Sequence, residues 1–355
     1  MATTDTFVFN ASDCFIEGWY WVLRSGDLKK RQTKNIKLLG RNLVLYRSET
    51  GIARALDAYC PHMGAHLAEG KVEGEHIRCL FHFWKFDNDG NCIEIPCQSS
   101  TKGVPKIKPW PIQEKYGLIW IWTGDTPRWQ VPFVPELENS EIDWSLGGTF
   151  TKSCHPNVMM INAIDAQHFR SVHNLPVKLD LQPKTYNENH IVFSNATTVP
   201  QSNILTRFIA RFYNGPLTYI LSYWYGSTGS VTIGPDFLHF HILFSLRPTP
   251  EGKSEGQTVL ITKKRSGISG AIINWILLRL TAVVGNYFAK GDTLIFESIN
   301  FKMRFPIKAD SAIVSFVKHA EKQRVLSWGQ WTRVDPQAQY PIEKGASNYE
   351  QPTAH

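Results

Sequence analysis

Short apolar runs broken by turn residues fill the first third of the chain, from Gly18 to about Thr123. Leu43-Val44-Leu45-Tyr46 and Gly117-Leu118-Ile119-Trp120-Ile121-Trp122 read as strands. Asp87-Asn88-Asp89-Gly90, between Trp84-Lys85-Phe86 and Cys92-Ile93-Glu94-Ile95, predicts a hairpin turn. This is an all-β unit. The turn-rich Gly124-Asp125-Thr126-Pro127 marks its end, so the expected domains are 1–125 and 126–355. Beyond that point the pattern alternates. A helix is predicted over 157–172, strands over 185–198 and 237–246, a long helical region over 266–297 and another helix over 311–328. Strands with a few packed helices give an α+β second domain.

One helical stretch stands apart. Residues 266–284 contain Arg279 as their one charge, follow Lys263-Lys264-Arg265, and are apolar nearly all round except for a narrow stripe of Gly270, Asn274, Thr281 and Gly285. Such a helix is either buried or in lipid. It barely reaches the roughly twenty residues that span a bilayer. A buried helix walling a site is the first expectation. The sharper alternative is peripheral membrane contact through 266–284, with a portal for an apolar substrate.

Composition narrows the rest. An apolar content of 43% over 355 residues supplies a large core for two domains. The net charge of +7 suits an acidic partner or an anionic membrane face, and by itself is no nucleic-acid signature. Lys29-Lys30-Arg31-Gln32-Thr33-Lys34 reads as a solvated turn. Cys14, Cys92, Cys97 and Cys154 show no paired spacing, so free thiols in a reducing, cytoplasmic setting are expected. Met1-Ala2-Thr3-Thr4-Asp5 predicts no signal peptide.

The chemistry lies in two clusters of motifs. Cys60-Pro61-His62 and, sixteen residues on, Cys79-Leu80-Phe81-His82 give Cys-x-His and Cys-x-x-His half-sites. Two thiolates and two imidazoles in matched pairs suit a [2Fe–2S] cluster whose second iron is held by histidines. Neutral imidazoles in place of thiolates raise the potential of such a centre to between about −150 and +300 mV. A structural zinc site is the plainer reading, but zinc fingers group their cysteines and their histidines separately. Cys60-Pro61-His62-Met63-Gly64-Ala65 and Cys79-Leu80-Phe81-His82-Phe83-Trp84 resemble the two cluster loops of the Rieske family, with one departure: Phe83 stands where that family usually has Gly. His66 and His76 fall off the ligand pattern and read as loop or surface residues.

Asn162-Ala163-Ile164-Asp165-Ala166-Gln167-His168-Phe169-Arg170-Ser171-Val172-His173 holds the second cluster. Non-haem Fe(II) that activates O2 wants two histidines and a carboxylate on one face. Residues five apart on a straight helix differ by about 140°, so His168 and His173 converge only at a bulge or a helix end, with Pro176 soon after. Asn162, Asp165 and His168, spaced by three, would form a polar line. As isolated residues the two histidines would simply be surface groups.

Together these motifs resemble the catalytic subunit of Rieske non-haem iron oxygenases, over about Gly18 to Phe305. The resemblance implies a Rieske cluster held by Cys60, His62, Cys79 and His82, and one Fe(II) held by His168, His173 and a downstream Asp. Gly291-Asp292-Thr293-Leu294-Ile295-Phe296-Glu297 makes Asp292 that ligand, with Asp236 and Glu297 as fallbacks; His239 and His241 read as same-face strand residues. It also implies a helix-grip-like catalytic domain with an antiparallel sheet. Asp165, beside Asn162, becomes the link between a cluster in one subunit and the iron of its neighbour in a head-to-tail homotrimer. No Gly-rich dinucleotide fingerprint occurs, so a separate ferredoxin, NAD(P)H-dependent reductase or both are implied. Cys92-Ile93-Glu94-Ile95-Pro96 and Lys108-Pro109-Trp110-Pro111 look most like the branch with ketosteroid 9-alpha-hydroxylase and cholesterol 7-desaturase. A bulky isoprenoid, sterol- or carotenoid-like, is the implied substrate. A small aromatic or heterocyclic substrate, and a Rieske electron carrier without oxygenase activity, are the alternatives.

Overall fold

The computed structural model describes residues 8–12, 14–173, 179–198, 211, 215–225, 227–235, 237–249 and 251–326. Apart from two short 3-10 turns, the regular structure of the first part is strand: β1 (Trp19–Arg24), β2 (Thr33–Leu38), β3 (Arg41–Arg47), β4 (Ala53–Asp57), β5 (Lys71–Glu73), β6 (His76–Arg78), β7 (Lys85–Phe86), β8 (Cys92–Glu94), β9 (Ile112–Lys115) and β10 (Leu118–Trp122). They form antiparallel sheets ordered β1-β10-β9, β2-β3-β4 and β5-β6-β7-β8. The predicted turn at Asp87–Gly90 joins β7 to β8, with Asp87 accepting from the backbone of Asp89 and Asn91. The unbroken apolar run of β10 has a physical reason. Ile119 and Ile121 pack with Leu43 and Leu45 on one face, while Leu118, Trp120 and Trp122 pack with Trp224, Leu243 and Val259 of the second part on the other.

The second part contains β11 (Ile142–Lys152), α1 (Pro156–Asn162), α2 (Ala166–Ser171), β12 (Gln182–Asn187), β13 (His190–Thr198), β14 (Pro216–Trp224), β15 (Thr228–Pro235), β16 (Phe240–Pro248), β17 (Ser254–Lys263), α3 (Gly267–Ser298) and α4 (Ser311–Ala320). Its seven strands form one antiparallel sheet in the order β11-β17-β16-β15-β14-β13-β12, and α3 lies along β17, β11 and β16. The α+β expectation holds. Several finer expectations need correction. The single helix over 157–172 is two helices, because Asp165 leaves helical geometry to cap α2. Asn162, Asp165 and His168 therefore form no helical line. The strand over 185–198 is a hairpin, turned where Asn187 Oδ1 accepts from Asn189 N. The last helix ends at Ala320, and Trp328 lies outside the described residues.

Two segments tie the halves together. Phe9 is buried in the core of the second part with Cys154 and Phe316, and its N–H donates to Glu321 Oε1 at 2.9 Å. Conversely, Leu326 packs among Phe15, Tyr20 and Ile121 of the first part, and Ile16 bridges to Val325.

Candidate metal centres and the cavity beside them

The first candidate centre sits on the two loops between β4 and β5 and between β6 and β7. Each loop folds back on itself: Gly64 N donates to Cys60 O, Cys60 N to Ala65 O, and Cys79 N to Trp84 O, each at 2.9 Å. Gly64 carries a φ of +74°, which glycine adopts without strain. Cys60 and Cys79 are 2% exposed, whereas His62 and His82 are half-buried. The His62 and His82 rings lie 4.6 Å apart, and Trp84 stacks on His62 at 4.3 Å and 9°. Buried thiols inside and imidazoles outside give the polarity that a diiron cluster with mixed ligands needs.

Two observations test the fit. His62 Nδ1 is buried without a hydrogen-bond partner. Burial, with Cys79 alongside, pushes the Cys60 thiol up to about 12, so Cys60 would need a bound cation to stand as a thiolate near neutral pH. A single tetrahedral zinc fits less well, because it would draw all four donors to within about 4 Å of one another. Among the described residues the one set of three such donors that converges is elsewhere. The four residues thus fit a [2Fe–2S] cluster.

Arg78, beside Cys79, was not singled out by the sequence. It binds Glu73 at 2.8 Å and Glu94 at 2.9 Å, and donates to Phe83 O at 2.7 Å. That last bond fixes a strained residue, since Phe83 has a φ of +59°. The chain makes this left-handed turn with a half-exposed phenyl ring, at the position where the resemblance implies glycine. His66 is excluded as a ligand through Nδ1, which accepts from Ala68 N and caps a short 3-10 turn. His76 stands on β6.

The convergent set is His168, His173 and Asp292, whose donor atoms all lie within 4.8 Å. His168 Nε2 is 2.8 Å from Asp292 Oδ1 and 3.1 Å from His173 Nε2, and His173 Nε2 is 3.2 Å from the same oxygen. Donors about 3 Å apart occupy three adjacent corners of an octahedron with bonds of about 2.1 Å, leaving the opposite corners open. The triad fits a mononuclear iron. Its construction follows from local geometry. Regular helix stops at Ser171, so His173 escapes the 140° separation and turns back toward His168. Asp165 Oδ1 accepts from Gln167 N at 2.9 Å and His168 N at 3.2 Å, which fixes the start of that short helix. From the far side, α3 brings Asp292, and Gly291 lies against the His173 ring, where an added Cβ would sit 3.1 Å from Cε1. Burial lowers the His173 pKa while Asp292 opposes the shift. Glu297 is exposed and apart from the triad, and Asp236 lies outside the described residues. His241 bonds Thr232 and His239 bonds Glu136, each away from the triad.

The triad opens on a cavity of about 690 Å³. Its wall is mainly apolar, with Phe150, Phe169, Ile233, Phe244 and Phe296. Asn162 lines it with an Nδ2 that has no partner among the described residues, and Lys152 donates to Thr293 Oγ1 at 2.9 Å. Tyr219 and Tyr223 hold the wall by donating to the carbonyls of Ala163 and Met160. The α3 helix forms one side, as expected, but it is not buried all round.

Residues 18–111 match the Rieske [2Fe-2S] domain. The chain is 38% identical to the cholesterol 7-desaturase of Bombyx mori over 169 residues, 46% of this chain and 37% of that protein. It is 27% identical to the oxygenase component of a 3-ketosteroid-9-alpha-monooxygenase of Rhodococcus rhodochrous over 296 residues, covering 77% and 73% of the two chains. The matches span about a third to a half of the length of the first curated relatives, 37%, 35% and 49%. Dicamba monooxygenase bound to 3,6-dichlorosalicylic acid superposes with a TM-score of 0.62 at 22% identity, over 89% of this chain and 97% of that one. NdmA of Pseudomonas putida CBB5 with caffeine gives 0.64 at 16% identity, over 87% and 95%. The chain is thus a Rieske-domain protein built on the two-part fold of the Rieske oxygenases, with sterol-acting proteins among its relatives.

Proposed function

We propose that this chain is the terminal oxygenase component of a multicomponent Rieske system, oxidising a bulky apolar substrate of sterol or carotenoid type with O2. The carrying observation is the convergent triad of His168, His173 and partly buried Asp292, opening on a large, mainly apolar cavity. At about 690 Å³ the cavity lies within the roughly 300–1,000 Å³ usual for small-molecule sites. An electron carrier has no use for either feature. The names of relatives that act on cholesterol and ketosteroids support the substrate class.

In this proposal Cys60, His62, Cys79 and His82 would hold the cluster and His168, His173 and Asp292 the iron, which together would supply one-electron transfer and O2 chemistry. The rest falls to the protein. Apolar walls orient the substrate and exclude water, and Asn162 offers its unpartnered amide to a polar group at the cavity edge. Asp165 positions His168 and provides a carboxylate through which a neighbouring subunit's cluster side makes contact in a homotrimer. Electrons come from a separate ferredoxin or NAD(P)H-dependent reductase. The proposed division is 1–125 for the cluster and 126–355 for the iron. Iron and acid-labile sulfide analysis tests the assignment, with three irons and two sulfides per chain expected. Two irons per chain, with no substrate-stimulated O2 uptake across a panel of steroids, carotenoids and small aromatics, would leave an electron carrier instead.

A further inference from the structure

The α3 helix is inside out. Its small and polar residues face the protein: Gly270, Asn274 and Thr281 are buried, Asn274 at 1% and Thr281 at 2% exposed. Asn274 is held there by Arg265, which donates to its Oδ1, and by Asp143, which accepts from its Nδ2. Gly285 lets the helix approach within van der Waals contact of Ile242 on β16. The outward face is instead formed by Ile268, Ile272, Trp275, Ile276, Leu280, Val283 and Tyr287, with Trp275 60% and Val283 67% exposed. A helix of a water-facing surface has the reverse arrangement. Small residues toward the protein and branched aliphatics outward are how helices pack against neighbours while facing lipid.

What covers this face follows from its ends and its back. Gly267–Tyr287 is long and apolar enough to cross a membrane by length and composition, with only 22% of its most apolar window buried. Yet it is laid along the sheet by Asn274 and the glycines, so it cannot leave as a separate span. Lys263, Lys264 and Arg265 stand at its start and Arg279 lies over Trp275, against Glu141, which pairs with Lys264, and Asp143, which pairs with Asn274. The excess is positive, as an anionic headgroup layer would require. Trp275, Arg279 and Asn286 are at once exposed and part of the cavity lining, so they form its rim on this side.

We propose that α3 lies flat on an anionic bilayer through its outward face, with the rim of the cavity turned toward the lipid. The docking stands on the geometry of α3 alone; delivery of an apolar substrate from lipid rests in addition on the function proposed above. The test is co-sedimentation of the purified full-length holoprotein with vesicles of phosphatidylcholine, with and without phosphatidylglycerol. The wild-type chain is expected to bind the phosphatidylglycerol vesicles. Ile272→Glu with Val283→Glu, two outward positions absent from the cavity wall, is expected to lower the partition coefficient roughly tenfold or more. Circular dichroism and iron content check that the variant is folded, and sedimentation velocity reads its oligomeric state. A wild-type protein left in the supernatant overturns the proposal, as does binding indifferent to the double substitution. Dissociation of an oligomer by the substitutions, with vesicle binding retained, assigns this face to a second copy of the chain and also overturns it. Vesicle binding needs no turnover, so its failure and a failure of the proposed oxygenase activity are read separately.

Discussion

Asp165 has two separable duties, and a pair of substitutions tells them apart. Its Oδ1 caps α2 through Gln167 N and His168 N, and its charge is the proposed contact for a neighbouring subunit. Asn caps about as well as Asp, so Asp165→Asn should leave α2 and the His168 position intact. Loss of the charge at this short helix end costs about 0.5 kcal/mol. Asp165→Ala removes the cap as well, at about 0.5–2 kcal/mol, which for a chain of this size lowers Tm by roughly 1–3 °C. If the cap were the whole role, the Asn variant would work and the Ala variant would falter. If the charged contact matters, both fail in turnover. We expect Asp165→Asn to retain three irons and the cluster's visible and EPR spectra while substrate-dependent O2 uptake falls by about 10–100-fold. The assays are iron analysis, spectroscopy of the reduced cluster and single-turnover oxidation after prereduction. Normal turnover by Asp165→Asn refutes the electron-contact role and leaves Asp165 as a helix cap.

Other expectations follow from neighbouring geometry. Gly291→Ala places a methyl 3.1 Å from the His173 ring and should weaken iron binding by about 10–100-fold, measured by chelator competition, with the cluster signal unchanged. Phe83→Gly relieves a φ of +59°, and after the added chain entropy of glycine should stabilise the protein by about 0.5–1 kcal/mol in urea titrations; a loss of stability would show that the exposed ring contributes to the loop. His190, His241 and His319 are pushed by burial from 6.5 down to about 4. Between those values the unfolded chain binds more protons than the folded one, so stability falls as pH drops from about 6.5 to about 4 and is fully present above it. Each of the three contributes about 1.4 kcal/mol per pH unit in that window, and a urea midpoint as high at pH 5 as at pH 7.5 would contradict their neutral burial.

The proposed cluster ligands were legible because each pair sits within one tight loop, where spacing in the chain is nearly spacing in space. The convergence of His168 with His173 could be read as a demand for a helix end, and Ser171 supplies it. Asp292 could not be derived that way. It arrives from α3, and only a family pattern pointed to it. The break before α2 was visible in principle, since Asp165 is a good cap, but the helical period on either side masked it. The hairpin at Asn187–Asn189 was hidden in the same manner within a β-type run. Which way α3 faces is a different kind of blindness. A helix apolar nearly all round carries little directional signal, and only the packing against β16 and β17 reveals that its polar stripe is the inner one. Arg78 escaped notice because an arginine beside a ligand has no pattern of its own.

The crossing of Phe9 into one half and Leu326 into the other, with β10 sandwiched between both, has a consequence for control. The two proposed metal sites of a chain are thereby tied to one frame, clasped at front and back, so the distance between them would be set by packing and not by a swinging arm. In the proposed oxygenase, control would then act through the filling of the cavity or the meeting of one chain with another.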